Sequence, residues 1–211
     1  MFGEETGVNA ALSFRERLNT LYLNIFHKGL SADTGLADKA LRQVGCAGSG
    51  RALALFYALF AGEKDFMKCL YDIKLPEELD AEDGFLLIAK EQQGVCAYGV
   101  EIATGKVFYL DDTNRVAEPV NMGMEDFILW LIAVQCSQFR PCAGRIMNCR
   151  EDLETRFRSQ RITTNPGDGA VYCFDGGAIL AITGNDAIIS AKDDSTMEAF
   201  EEITGFEVDY F

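Results

Sequence analysis

The chain has 211 residues, of which 48% are hydrophobic and 25% charged, with 15 Phe and a formal net charge of −14. Such a composition is that of a globular protein with an aromatic-rich core, long enough for one sizeable core or two small ones. A surface this acidic argues against DNA or RNA binding, which depends on neutralising phosphates, and the longest apolar run, 127–134, is far short of the roughly 18 residues of a membrane span.

The start, MFGEETGVNA, lacks a basic stretch followed by an apolar one, so no secretory signal is expected and the cytoplasm is the expected compartment. Phe14, Leu18, Leu21, Tyr22 and Ile25 fall on one helical face, and the helix is expected to stop at His27-Lys28-Gly29. Leu36, Ala40, Leu41 and Val44 repeat the helical spacing. Ser49 is placed to cap a third helix, RALALFYALF, with Leu53, Phe56, Tyr57 and Phe60 on one face. A fourth helix is expected over EKDFMKCLYDI, with Pro76 marking a boundary after it.

The pattern then changes to short, β-prone segments: FLLIAKE, VCAYGVEI and KVFYLD. Thr104-Gly105 punctuates the last two as a hairpin turn would. The segment EDFILWLIAVQC (125–136) opens with two acids and is apolar nearly all round, the pattern of a buried helix. A hinge is expected around Arg140-Pro141-Cys142. Residues 151–161 predict an exposed helix with a Glu154–Arg158 pair. AVYCFDG, AILAITG and AIISAKD read as strands. Asp194 or Ser195 is placed to cap a helix over TMEAFEEITG, and FEVDYF reads as a final strand. Grouped rather than alternating elements define an α+β class, with N-terminal helices packed on a largely antiparallel sheet and further strands and a helix at the C-terminal end. One α+β domain over 1–211 is expected.

The chemical candidates are few. The seven cysteines, at 46, 69, 96, 136, 142, 149 and 173, form no CxxC and read as free, mostly buried thiols. His27 is the only histidine and sits where a helix end would carry a basic group; a Ser-His or Cys-His pair would have to use it. GCAGSGRA (45–52) imitates a phosphate loop, but Arg51 and Ala52 stand where lysine and a hydroxyl are needed, and no strand precedes it. Asp111-Asp112 and Asp193-Asp194 have local explanations as turn and cap residues. No catalytic, cofactor or metal site is therefore expected.

The ordered segments of 51–136 carry a resemblance. RALALFYALF, then KLPEELDAEDGFLLIAKEQQGVCAYGVEI, KVFYLD and MEDFILWLI, resemble the SUKH superfamily, the Smi1/Knr4-like proteins. The family shows a Glu-Asn-Gln-Gly-Val-x-x-Trp-Gly-Ile pattern. Here Glu91, Gln93, Gly94, Val95 and Gly99 stand in matching positions, Gln92 replaces the asparagine, Tyr98 the tryptophan and Val100 the isoleucine. Phe127 and Leu131 fit the closing helix. The proline-rich start usual in the family's third strand is absent, TGKVFYLDD standing there instead.

The resemblance covers a core of about 51–136, leaving 141–211 as a C-terminal extension. It implies an α+β fold without enzymatic activity. It further implies an immunity-type protein that binds and neutralises a toxin, often a nuclease, in bacterial competition. The alternative is a regulatory or scaffold protein on the same fold; a hydrolase or thiol enzyme with unfamiliar motifs is a third reading. Residues 75–140 carry 4 basic and 12 acidic side chains, a balance that suits a basic protein partner. The acidic turns are the expected contact points: Glu91, Glu101, Asp111 and Asp112.

Overall fold

The computed structural model describes residues 12–27, 35, 42, 50–111, 113, 116–166 and 168–211. The expected helix over Leu36–Val44, the Ser49 cap, the Gly29 stop, most of the glycine-rich 45–52 segment and Asp112 lie outside the described residues. The class is α+β: six α-helices and two antiparallel sheets among the described residues. Two compact units form, one from Met1–Gly29 with Leu129–Phe211 and the other from Leu30–Ile128. The division falls inside a helix rather than at Arg140–Cys142, which join that helix directly to a strand within one unit.

In the Leu30–Ile128 unit, α2 (Gly50–Phe60) buries Leu53, Phe56, Tyr57 and Phe60, the face set by helical spacing. Phe56 and Phe60, one turn apart, have ring centroids 5.3 Å apart, and Phe60 meets Phe66 at 5.4 Å. Each such ring contributes about 1.5–3 kcal/mol by leaving water. The expected fourth helix is only α3 (Lys64–Met67); the chain then turns into strand β1 (Tyr71–Ile73). Four residues make a weak helix, and Tyr71, Asp72 and Ile73 gain more by pairing with Glu91, Lys90 and Ala89 across a sheet edge.

β2 (Ala81–Glu82), β3 (Phe85–Glu91), β4 (Cys96–Glu101), β5 (Val107–Asp111) and β6 (Val116–Pro119) complete a sheet of order β1-β3-β4-β5-β6, with β2 paired to β3. The Thr104-Gly105 turn links β4 to β5 as expected, Gly105 N–H donating to the Glu101 carbonyl at 2.8 Å. Register puts Leu86, Val100 and Val107 on one face with Ile73, and all four are buried. Phe85, Leu87, Phe108 and Leu110 lie on the opposite face and are only half-buried.

In the other unit, α1 (Phe14–Phe26) starts at a capping box in which Ser13 and Glu16 satisfy each other's backbone N–H. It ends at His27, which itself takes the left-handed cap conformation at φ 52°. Helix α4 (Met124–Phe139), which the unit boundary crosses, leads into β7 (Cys142–Ile146), a strand the sequence pattern did not announce. Then come α5 (Arg150–Arg156), β8 (Val171–Cys173), β9 (Ile179–Thr183), β10 (Asp186–Ala191), α6 (Asp194–Thr204) and β11 (Asp209–Tyr210).

The sheet order here is β11-β7-β10-β9-β8. Of FEVDYF only Asp209 and Tyr210 form strand, paired with β7, and the Phe211 N–H also donates to the Ala143 carbonyl at 3.2 Å. α5 stops too early for the expected Glu154–Arg158 pair; Glu154 instead holds Arg150 at 3.1 Å, and Arg158 opens a 3-10 turn. The cap of α6 is Asp193, one residue before the expected position, accepting from Thr196 N–H at 2.8 Å.

Candidate functional site

The stretch EQQGVCAYGV forms the corner between β3 and β4. Gly94 turns it at φ +75°, its N–H donating to the Glu91 carbonyl at 2.8 Å, a conformation glycine adopts without strain. Gln92 is exposed, yet its side chain is engaged. Its amide donates to the carbonyls of Lys68, at 2.6 Å, and Cys69, tying the corner to the chain before β1.

Register then sorts the landmark residues onto two faces. Cys96 and Tyr98 share one face, as strand alternation requires, with Tyr71 and Tyr109. Tyr98 meets Tyr71 edge-on at 5.6 Å and Tyr109 at 5.7 Å, and Phe127 at 5.3 Å. The three phenols are raised above the ordinary tyrosine value, by burial first; Tyr71 and Tyr109 add to the rise at Tyr98, and the Cys96 thiol adds to it at all three. They are neutral at physiological pH and act as hydrogen-bonding groups of a packed layer. The Cys96 thiol points to Glu91 Oε2 at 4.0 Å. Glu91, an expected contact residue, thus belongs to this layer.

The opposite face carries a different arrangement. An open groove of about 510 Å³ is lined by Phe85, Leu87, Ala97, Leu110, Val116 and Ala117, with Glu82, Asp83, Asp111 and Lys90 at its margin. Phe85 and Phe108 pack edge-to-face at 5.2 Å. Gly99 forms the floor between them: a Cβ there would come within 3.0 Å of Leu110 Cδ1 and 3.3 Å of Phe85 Cβ. The landmark glycine lets two large apolar side chains close over the sheet.

Glu82 and Asp83 reach this margin because Asp83 and Gly84, at φ 49° and 86°, make a two-residue hairpin turn between β2 and β3. Both central residues need positive φ, which Asp-Gly supplies. Asp-Gly is a strong short hairpin signal, and reading the segment only as a lead-in to FLLIAKE missed both acids. Of the expected contact residues, Glu101 pairs with Phe85 on the groove face, Glu91 lies on the other, and Asp111 borders the groove while pairing in register with Cys96 of that other face. Lys90 stands across from Asp72 in register.

The remaining candidates are dispersed. His27 is an exposed helix cap. Cys69, Cys96, Cys136, Cys142, Cys149 and Cys173 are free thiols; Cys142 donates to Asp194 at 3.0 Å, and that bond together with burial pushes it up to about 11. Among the described residues no group of three or more His, Cys, Asp or Glu side chains is placed to hold a metal ion, and no helix is long and apolar enough to cross a membrane. No family model, no curated protein and no solved structure matches the chain.

Proposed function

We propose that this chain is a non-catalytic protein-binding module of the SUKH, Smi1/Knr4-like kind, working in the cytoplasm as an immunity protein that binds and neutralises a basic toxin. The observation that carries the reading is the solvent-facing side of the β1–β6 sheet, where apolar side chains line a groove with Glu82, Asp83 and Asp111 at its margin. Apolar surface left open on a sheet favours association, and a surrounding negative field speeds encounter with a positively charged partner. A nuclease toxin, basic where it meets nucleic acid, is the partner chemistry this charge suits best. The ordered motifs from Arg51 to Leu131 support the family part of the reading.

Co-expression with the toxin encoded beside its gene tests the proposal. The expected result is a co-purifying complex and restored growth. No complex and no rescue with any neighbouring toxin would count against immunity. A stable complex with a cellular protein, without rescue, would favour the regulatory alternative.

A further inference from the structure

The same sheet offers a partner two places to dock, its edge and its open face. β6 is the last strand on its side in the sheet order, and its four residues are exposed. Val120 N–H donates to the Val107 carbonyl at 2.9 Å, so in an antiparallel ladder the alternate residues Pro119 and Ala117 turn their main-chain groups away from β5. Pro119 has no N–H to give. A proline at an outward position is a common way of blocking strand addition, so the edge is guarded.

The face is not. Phe85, Leu87, Phe108 and Leu110 stay half-exposed on it, and Val116 is 43% exposed at its margin. Glu82 and Asp83 stand at one end on a tight turn, while Asp111, paired in register with Cys96 of the closed face, only borders the other end. Long basic side chains match both features, because their methylene stems cover apolar surface while the charged head reaches a rim.

We infer that this groove is the docking surface, and that its occupant is a lysine- or arginine-bearing segment of a basic partner protein. The aliphatic stem lies along Phe85, Leu87 and Leu110, and the cation meets Glu82 and Asp83. The inference rests on the reading of the chain as a protein-binding module and adds where and by what chemistry it binds. A second copy of this chain is disfavoured as occupant, since a molecule of net charge −14 would bring acid against acid.

The test uses the full chain and two fluorescein-labelled octapeptides, one alternating arginine with leucine and one alternating glutamate with leucine. Three variants are compared, each first checked for an unchanged circular dichroism spectrum. The double change Glu82→Gln with Asp83→Asn removes two charges and keeps a residue suited to positive φ in the turn. Leu110→Ser removes apolar wall, and Glu91→Gln removes an acid on the other face.

Expected are binding of the arginine peptide only, Kd raised about fivefold by the double change and about tenfold by Leu110→Ser, and no more than about a twofold change with Glu91→Gln. Equal weakening by all three would overturn the inference in favour of diffuse charge attraction. So would equal binding of the glutamate peptide, or a dimer of the wild-type chain that Leu110→Ser abolishes. Repeating the co-expression assay with the variants separates the two proposals. Wild type and groove variants neutralising a toxin equally would remove the groove and leave the module reading intact. A wild-type chain that captures no toxin while the peptide pattern holds would do the reverse.

Discussion

The two sheets of this molecule are both antiparallel, yet they are built for different surroundings. In the C-terminal sheet, β9 and β10 are buried along almost their whole length. One face meets Leu153, Met197 and Phe200, and residues of the other face, such as Ile179, Ala181 and Val171, are fully buried as well. In the β1–β6 sheet only one face is closed, and Phe85, Leu87, Phe108 and Leu110 remain half-exposed on the other. A sheet covered on both sides contributes stability, whereas a sheet covered on one side has a surface to spare. The groove falls on the second.

The largest contrast should come from leucines on the next-to-edge strands of the two sheets. Leu180 on β9 is fully buried, so Leu180→Ala should cost about 3 kcal/mol and lower Tm by roughly 6–12 °C. Leu110→Ser, on the open face, should cost about 1 kcal/mol. Equal losses in thermal unfolding would break the comparison.

A smaller effect is expected at Arg140. Its guanidinium is buried and donates to the Gly177 carbonyl at 2.7 Å and the Ser190 carbonyl at 3.2 Å. Burial lowers its pKa, so the charge is held at a cost that the carbonyls offset. Arg140→Ala should leave the Gly177 carbonyl without its donor and lose about 2 kcal/mol, read from urea unfolding. An unchanged midpoint would mean that water replaces the guanidinium without loss.

The smallest effect concerns the Asp193 cap of α6. Bonds from the Thr196 hydroxyl and N–H and from the Ser195 hydroxyl hold its carboxyl down at about 2, against an ordinary 3.8. A depressed carboxyl stabilises the fold above its unfolded value, and that contribution is lost as pH falls from about 4 towards 2. Asp193→Ala should lower Tm by about 2–4 °C at neutral pH, with a difference that shrinks over that acid window. A constant difference down to pH 2 would rule out the ionised cap as its source.

Much of the architecture was legible because spacing carries it. The helix over Gly50–Phe60, the strands FLLIAKE and KVFYLD, the Thr104-Gly105 turn and the strands AILAITG and AIISAKD each announce themselves through period or punctuation. β1, β6 and β7 did not. Tyr71–Ile73, Val116–Pro119 and Cys142–Ile146 are short and unpatterned, and they are strands only because a partner edge is available. Within the site, Asp111 was legible as an acid after a strand. Glu82 and Asp83 were hidden behind a turn signal that was there to read.

By itself the sequence determined the α+β class, the acidity of the 75–140 stretch and the corner at EQQGVCAYGV, since these depend on neighbours along the chain. Which face each residue joins was decided only by tertiary pairing. Register sends Cys96 and Tyr98 to the closed face with Glu91, and Gly99 to the open one with Leu110 and Phe85. A shift of one residue would exchange the two sets, so the groove exists because the successive strands β2 to β6 align in one register.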